Sequence, residues 1–302
     1  MNSLLKGYLE ENVPLIDAEM FAFLPDAEPR NFLYEPMRDY PLRGGKRFRS
    51  ALVLLSCEAL GGEKDKAVRT AAAFEMFQSF ALIHDDIEDG SEMRRGKPCL
   101  HRLLGIPLSI NVGDALYSKV FEALSENRKI LGDDRTLDLI QEMIRGARLT
   151  FEGQALDIGW IRTEKIPNVE EFTEMLRLKT GWYSGRGPCE AGAIIASASE
   201  DQRRAIGNFG EAMAVAFQVR DDLLNLSVRA EDAVTAPATT AGGYGKERGG
   251  DIAEGKRTLM VIDVYHKCAL DEKSRVLEIL ARDRSETTED EIEWMIALRL
   301  PE

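Results

Sequence analysis

The chain has 302 residues, a formal charge of −13 and an isoelectric point near 4.9, an acidic balance that repels nucleic acid, so its lysines and arginines are read as local clusters. Cys57, Cys99, Cys189 and Cys268 are widely spaced with no Cys-x-x-Cys, and three histidines add little, so no zinc site is expected and a reducing cytoplasmic setting is. Lys6, Glu10 and Glu11 interrupt the N-terminal apolar run and no stretch approaches about 18 apolar residues, so neither a signal peptide nor a transmembrane segment is expected.

No composition break divides the chain, so a single helical domain over 1–302 is expected. Residues 2–24 read as an amphipathic helix with a soft break at Pro14, ended by Pro25 and Pro29. A second helix through Phe32 and Met37 leads to Arg43-Gly44-Gly45-Lys46-Arg47-Phe48-Arg49. Paired glycines let backbone N–H groups approach an anion there, and Lys46 and Arg49, placed on the first turn of the next helix, add charge at its positive end. Residues 50–60 are apolar almost all round, which predicts a central helix closed by Gly61-Gly62.

From about Lys64 a run without Gly or Pro carries Phe77, Phe80, Leu82 and Ile83 at helical spacing and ends in Asp85-Asp86-Ile87-Glu88-Asp89. On a helix Asp85 and Asp89 lie one turn apart on one face, so both reach a single hard cation, with Asp86 and Glu88 beside it. Mg²⁺, which keeps waters and takes phosphate oxygens, is the natural candidate. An acidic helix end in water is the bland explanation of such a pattern. Against it stand the apolar flank before the acids and the loop from Gly90 to Pro98 after them, with Arg94, Arg95 and Lys97.

Residues 108–127 predict a mostly buried helix on which Asn111 and Asp114 are packing or supporting groups. Another long helix covers 136–159, with Gly153, Gln154 and Asp157 on its polar C-terminal part. A helix over 169–180 ends in Lys179-Thr180-Gly181, and the Gly-, Ala- and Ser-rich helix of about 185–199 reads as a close-packing element. Phe209 to Leu226 repeats the first design, with Gln218, Asp221, Asp222 and Asn225 at three- and four-residue steps on the polar side. Two acid-tipped helices of this kind are predicted to face each other across a bundle and share a metal site. Residues 229–250 lose periodicity and predict a lid loop, leading to Lys246 and Lys256, cations suited to a leaving diphosphate. Helices at 258–270, 271–283 and 288–299 complete the chain.

These blocks, in this order, resemble the trans-isoprenyl diphosphate synthases: Arg-Gly-Gly-Lys-Arg-Phe-Arg at 43–49, the first Asp motif through Arg94-Arg95-Gly96, Lys179-Thr180, Gln218 to Asn225, and Gly250 to Lys256. The resemblance covers about residues 30–270. It implies an all-α fold, a bundle of antiparallel helices around a deep cavity, a homodimer, and three Mg²⁺ ions per site. It implies that Asp85, Asp89 and Asp221 are metal ligands, with Asp86, Asp222 and Asn225 in support. Arg94, Lys179, Thr180, Gln218, Lys246 and Lys256 would contact an allylic diphosphate, and Lys46, Arg49, Gln78 and Arg95 isopentenyl diphosphate. Asn225 stands where many members have Asp, and the chain ends a helix or two early. Phe77 and Phe80, with small Ala81, form the expected floor against a growing product, which suits C20 with C15 as neighbour. A class I terpene cyclase would not need the 44–49 and Arg95 sites, and a non-catalytic partner subunit would have lost acids or arginines that are present here.

Overall fold

The computed structural model describes residues 3–227 and 248–298. It packs as two compact units, the first made of the described residues of Met1–Glu92, Lys97–Arg148 and Gly181–Ala214, the second of those of Met93–Gly96, Leu149–Thr180 and Val215–Glu302. Apart from a two-residue hairpin, β1 (Met93–Arg94) with β2 (Lys97–Pro98), the regular structure of the described residues is helical. None of these helices is long and apolar enough to cross a membrane.

In the first unit α1 (Ser3–Phe23) is continuous through Pro14, where the sequence suggested a break. A π-helical turn (Arg30–Tyr34), α2 (Glu35–Leu42) and α3 (Phe48–Ala59) follow. The centre of the unit is α4 (Val68–Glu88), buried from Thr70 to Phe80 with no exposed face in that stretch. Its Ala71-Ala72-Ala73 run leaves room for neighbours to approach, and α1, α3 and α6 (Ile106–Ser125) pack on it. Two short helices, α5 (Leu100–Leu104) and α7 (Arg128–Leu131), flank α6. Asn111 and Asp114 on α6 are exposed, so of the two expected roles, packing or supporting, packing is ruled out; Asp114 lies 3.7 Å from His84 Nε2. α8 (Asp133–Arg162) starts in this unit and ends in the second, to which α9 (Val169–Leu176) belongs; after α9 the α-helical ladder does not stop at Gly181 as predicted but widens into a π-helix, Arg177–Arg186, whose residues from Gly181 on return to the first unit. Then comes α10 (Gly187–Ile195), buried at every residue; a Cβ on its Gly192 would stand 2.5 Å from Val53 O of α3, so the small residues there do serve close packing.

One buried ionic network crosses this unit. Arg203, on α11 (Glu200–Ser227), gives Nη2 to Glu142 at 2.7 Å and Nε to Glu190 at 3.2 Å. Arg186 reaches Glu190 at 2.8 Å and Glu211 at 2.7 Å, and Trp182 Nε1 donates to Glu142 at 3.1 Å. Burial, then the nearby Glu142 carboxylate, pushes the Glu190 carboxyl up from its ordinary range in spite of the two arginines.

The second unit holds two apolar clusters. Trp160, Phe172, Met175, Leu176 and Ile262 form one; Leu226, Ile252, Met260, Val264, Val276, Ile279, Leu280 and Met295 form the larger. Its helices begin where the sequence supplies caps: α9 at an Asn168–Glu171 capping box, α13 (Leu259–Lys267) at Thr258, and α15 (Glu289–Ala297) at a Thr288–Glu291 box. α12 (Gly250–Ala253) and α14 (Leu270–Ala281) lie among them. Arg257, 1% exposed, ties loops together through the carbonyls of Lys165, Gly255 and Leu280. Lys246 and nearly all of the expected 229–250 lid fall outside the described residues.

Candidate active site

The first unit carries the α4 motif. Asp85 and Asp89 are partly exposed at the helix end, while Asp86 is wholly buried. Tyr40 of α2 donates its hydroxyl to Asp86 Oδ2 at 2.5 Å and accepts from the Leu100 N–H at 3.3 Å. Burial and then the Asp86 charge raise the Tyr40 hydroxyl far above its usual value, so it remains a donor at any working pH. Arg43 covers the Tyr40 ring, 4.5 Å from its centroid, and is held by Asp39 at 2.6 Å and by the Pro98 carbonyl at 2.8 Å. Arg94, on β1, and Arg95, at φ 53°, follow the motif in the chain but belong to the second unit.

Just before α3 the backbone turns through left-handed conformations, Gly44 at φ 82° and Arg47 at φ 47°. A positive φ at Gly44 is free of cost, whereas at Arg47 it is held by contacts. Arg47 pairs with Asp17 at 2.7 Å and Glu75 at 3.4 Å and donates to the Pro41 carbonyl at 2.9 Å, and Ser50 Oγ binds the same Glu75 at 2.6 Å. Lys46 is therefore displayed, exposed, in the turn and not on the first helical turn as expected, while Arg49 does begin α3. Arg49 Nη2 donates to Ser184 Oγ at 2.6 Å, and its guanidinium lies 4.6 Å from the Tyr183 ring centroid. Arg49 Nε and Gln78 Oε1 are buried without a hydrogen-bond partner, the kind of shortfall a bound ligand would make good.

One and two turns before Asp85, Phe80 and Phe77 are buried and meet at 5.5 Å between ring centroids. Tyr117 closes on Phe80 at 4.8 Å and Phe77 at 6.2 Å, with Phe121 behind it at 5.1 Å. His84 stacks edge-on to Phe80 at 4.8 Å, and Ala81 beside it is half-buried.

In the second unit the α11 motif is built differently. Gln218 Nε2 donates to Asp222 Oδ1 at 2.9 Å, one turn along the same helix. Asn225, wholly buried, accepts from the Asp251 N–H at 3.2 Å through Oδ1 and from the Gly249 N–H at 2.9 Å through its carbonyl. It thus joins α11 to the start of α12. Asp221 is partly exposed. Lys179 and Lys256 share one buried carboxylate, Asp157 Oδ2, at 2.6 and 3.4 Å. Thr180 is 7% exposed beside Lys179. A Cβ added to Gly153 on α8 would stand 2.3 Å from Lys179 N and 2.7 Å from its Cα, so a glycine is required for α8 to pack against the lysine backbone.

Among the described residues no three His, Cys, Asp or Glu side chains gather into a ready metal cage. The donor chemistry nevertheless fits a hard cation such as Mg²⁺, which uses only one or two protein carboxylates and completes its shell with water and phosphate. Partly exposed carboxylates stand at each motif, with buried hydrogen-bonded ones behind them. Sequence reading missed Tyr40, Tyr117, Tyr183, Ser184 and Asp251. It noticed Asp157 only as a polar residue on the C-terminal part of α8, one of several acids on that helix.

The family model described as polyprenyl synthetase matches residues 30–298. The chain belongs to that family and is a prenyltransferase with the all-α isoprenoid synthase fold. It is 33% identical over 293 residues to geranylgeranyl pyrophosphate synthase of Geoglobus acetivorans, covering 96% of this chain and 83% of the relative. To the geranylgeranyl diphosphate synthase of Sulfolobus acidocaldarius it is 31% identical, covering 93% and 76%. The crystal structure of geranylgeranyl pyrophosphate synthetase from Pyrococcus horikoshii Ot3 superposes with a TM-score of 0.84 at 34% identity, over 98% of this chain and 84% of that one. The terpene cyclase and non-catalytic partner readings are not favoured by these likenesses.

Proposed function

We propose that the protein condenses isopentenyl diphosphate head-to-tail with an allylic diphosphate, with Mg²⁺, to give a C20 product. The observation that carries this reading is what one helix presents: α4 carries a buried aromatic wall (Phe77, Phe80), with the buried Gln78 amide between those two positions, and ends in a carboxylate tip. Asp85, Asp89 and Asp221 are the proposed metal ligands, steadied by Asp86, Asp222 and Asn225. Bound Mg²⁺, three ions per site in this reading, supplies the charge that draws electrons onto the departing diphosphate.

Arg94, Lys179, Thr180, Gln218, Lys246 and Lys256 hold the allylic diphosphate in this proposal, and the Asp157 carboxylate shared by Lys179 and Lys256 offsets the repulsion between those two cations. Lys46, Arg49, Gln78 and Arg95 hold isopentenyl diphosphate. The allylic carbon–oxygen bond breaks, the resulting cation alkylates the alkene of isopentenyl diphosphate, and the diphosphate released takes the proton lost. Phe77, Phe80 and Tyr117 exclude water and stop the tail, with Ala81 leaving space beside them. A cytoplasmic location belongs to the same reading, in keeping with the wide spacing of the four cysteines. A homodimer is proposed as well: Ile106 and Ile110 of α6 expose 52% and 41% of their surface one turn apart, an apolar stripe suited to a second copy.

The test is incubation with Mg²⁺, isopentenyl diphosphate and dimethylallyl, geranyl or farnesyl diphosphate, with products sized by mass spectrometry. Prenyl diphosphates peaking at C20 support the reading. Hydrocarbons would point to a cyclase, and no turnover to a partner subunit. Sedimentation at micromolar concentration reads the dimer.

A further inference from the structure

We infer that Tyr183 and Ser184 are positioning and specificity-determining residues that join the anion pocket around Arg49 to the wall that sets product length. The inference rests on the function proposed above, and three contacts in the first unit carry it. Ser184 Oγ, 7% exposed, takes Arg49 Nη2 at 2.6 Å. The neighbouring Tyr183 ring lies 4.6 Å from the guanidinium carbon. The same ring stands 5.8 Å from Phe77, which in turn meets Phe80 at 5.5 Å.

A guanidinium recognises an oxyanion well when its plane is fixed before the ligand arrives. Arg49 is fixed on one face by an aromatic ring and at one nitrogen by a hydroxyl, and its buried Nε is left with no partner. Both restraints come from adjacent residues of the π-helix Arg177–Arg186, so a single backbone segment sets the donor. Tyr183 also ties this setting to Phe77, so its ring touches both the cation that binds the homoallylic diphosphate and the floor that ends elongation. Ser184 touches only the cation. The two side chains therefore separate by experiment, although they are neighbours.

Wild-type turnover is measured first, since its absence defeats the proposed function and not this inference. Ser184→Ala should raise KM for isopentenyl diphosphate about tenfold, as expected for loss of a hydrogen bond to a charged group, and move KM for the allylic substrate less than about twofold. Its product lengths should not change, and Ser184→Thr should bring KM back. Tyr183→Leu should raise KM for isopentenyl diphosphate about fivefold, the scale of a lost cation–π contact, and also shift the product distribution by at least one isoprene unit. Tyr183→Phe, which keeps the ring, should reverse both changes. If the two substrates' KM values rise together in Ser184→Ala, the positioning of Arg49 is disproved. If Tyr183→Leu makes products of wild-type length, the link to the wall is disproved. Should Tyr183→Leu fail to fold, Tyr183→Met, closer in length and flexible, reads the same two quantities with the same outcomes.

Discussion

At the end of α4 the middle carboxylate, Asp86, is wholly buried and is held by Tyr40, 46 positions earlier in the chain; near the end of α11, Asp222 is held by Gln218, one helical turn away. The same Asp-Asp lettering is thus anchored in two ways. A remote anchor makes the orientation of the α4 tip depend on how α2 packs, while a local one needs only that α11 remain helical. Asn225 adds a second tie at the α11 end by receiving two backbone N–H groups from the segment that opens α12. In both places one leading aspartate is left partly exposed, so the difference lies in what stands behind it.

The largest effect tests whether the two tips are chemically equivalent. Asp85→Asn and Asp221→Asn should each lower kcat by about 10³-fold, the scale of losing one preorganised electrostatic group, and a much weaker effect at either would make the tips unequal. Next, Tyr40→Phe should raise the Mg²⁺ concentration giving half-maximal rate by about 10- to 100-fold, as for a group that orients a ligand, with Gln218→Leu causing less than about tenfold. Equal Mg²⁺ titration curves for the two variants would erase the distinction between remote and local anchoring. Phe80→Ala asks whether α4 alone carries the wall: its products should lengthen in mass spectra, and the fold should lose about 3–5 kcal/mol in denaturant titration.

The smallest effect belongs to a control away from both tips. The Glu190 carboxyl is raised above its ordinary 4.5, so the folded protein binds more protons there than the unfolded chain does. Stability contributed by this group is present below pH 4.5 and is lost as the pH rises through the folded value. The melting temperature of Glu190→Gln should fall less than that of the wild type across that rise. Parallel melting curves for the two proteins would remove Glu190 as the group responsible.

Much of this was legible in the sequence because helical periodicity and short motifs are local properties. The long helices ending in Asp85–Asp89 and Asp221–Asn225 were read from spacing alone, whereas the Asn168–Glu171 and Thr288–Glu291 boxes that open α9 and α15 emerge only in the structure. The failures share a cause. Pro14 was read as a break, yet an N–H lost on an exposed helical face is tolerated when flanking residues such as Ile16 and Met20 are fully buried. Gly181 was read as a terminator, yet the chain continues through it as a wider helix, with Trp182 buried and bonded to Glu142. Tyr40 with Asp86, Ser184 with Arg49 and Asp157 with its two lysines are pairings between elements far apart in the chain, and no local pattern announces them.

Gly153 bears no functional group, but the obstacle that an added methyl would strike is main chain and not a movable side chain. Rotamer adjustment offers no escape from such a collision, so even alanine would have to push Lys179 away bodily. Tolerance to substitution in this enzyme is therefore not ranked by chemical reactivity: an empty volume beside a lysine can be as irreplaceable as a charged oxygen.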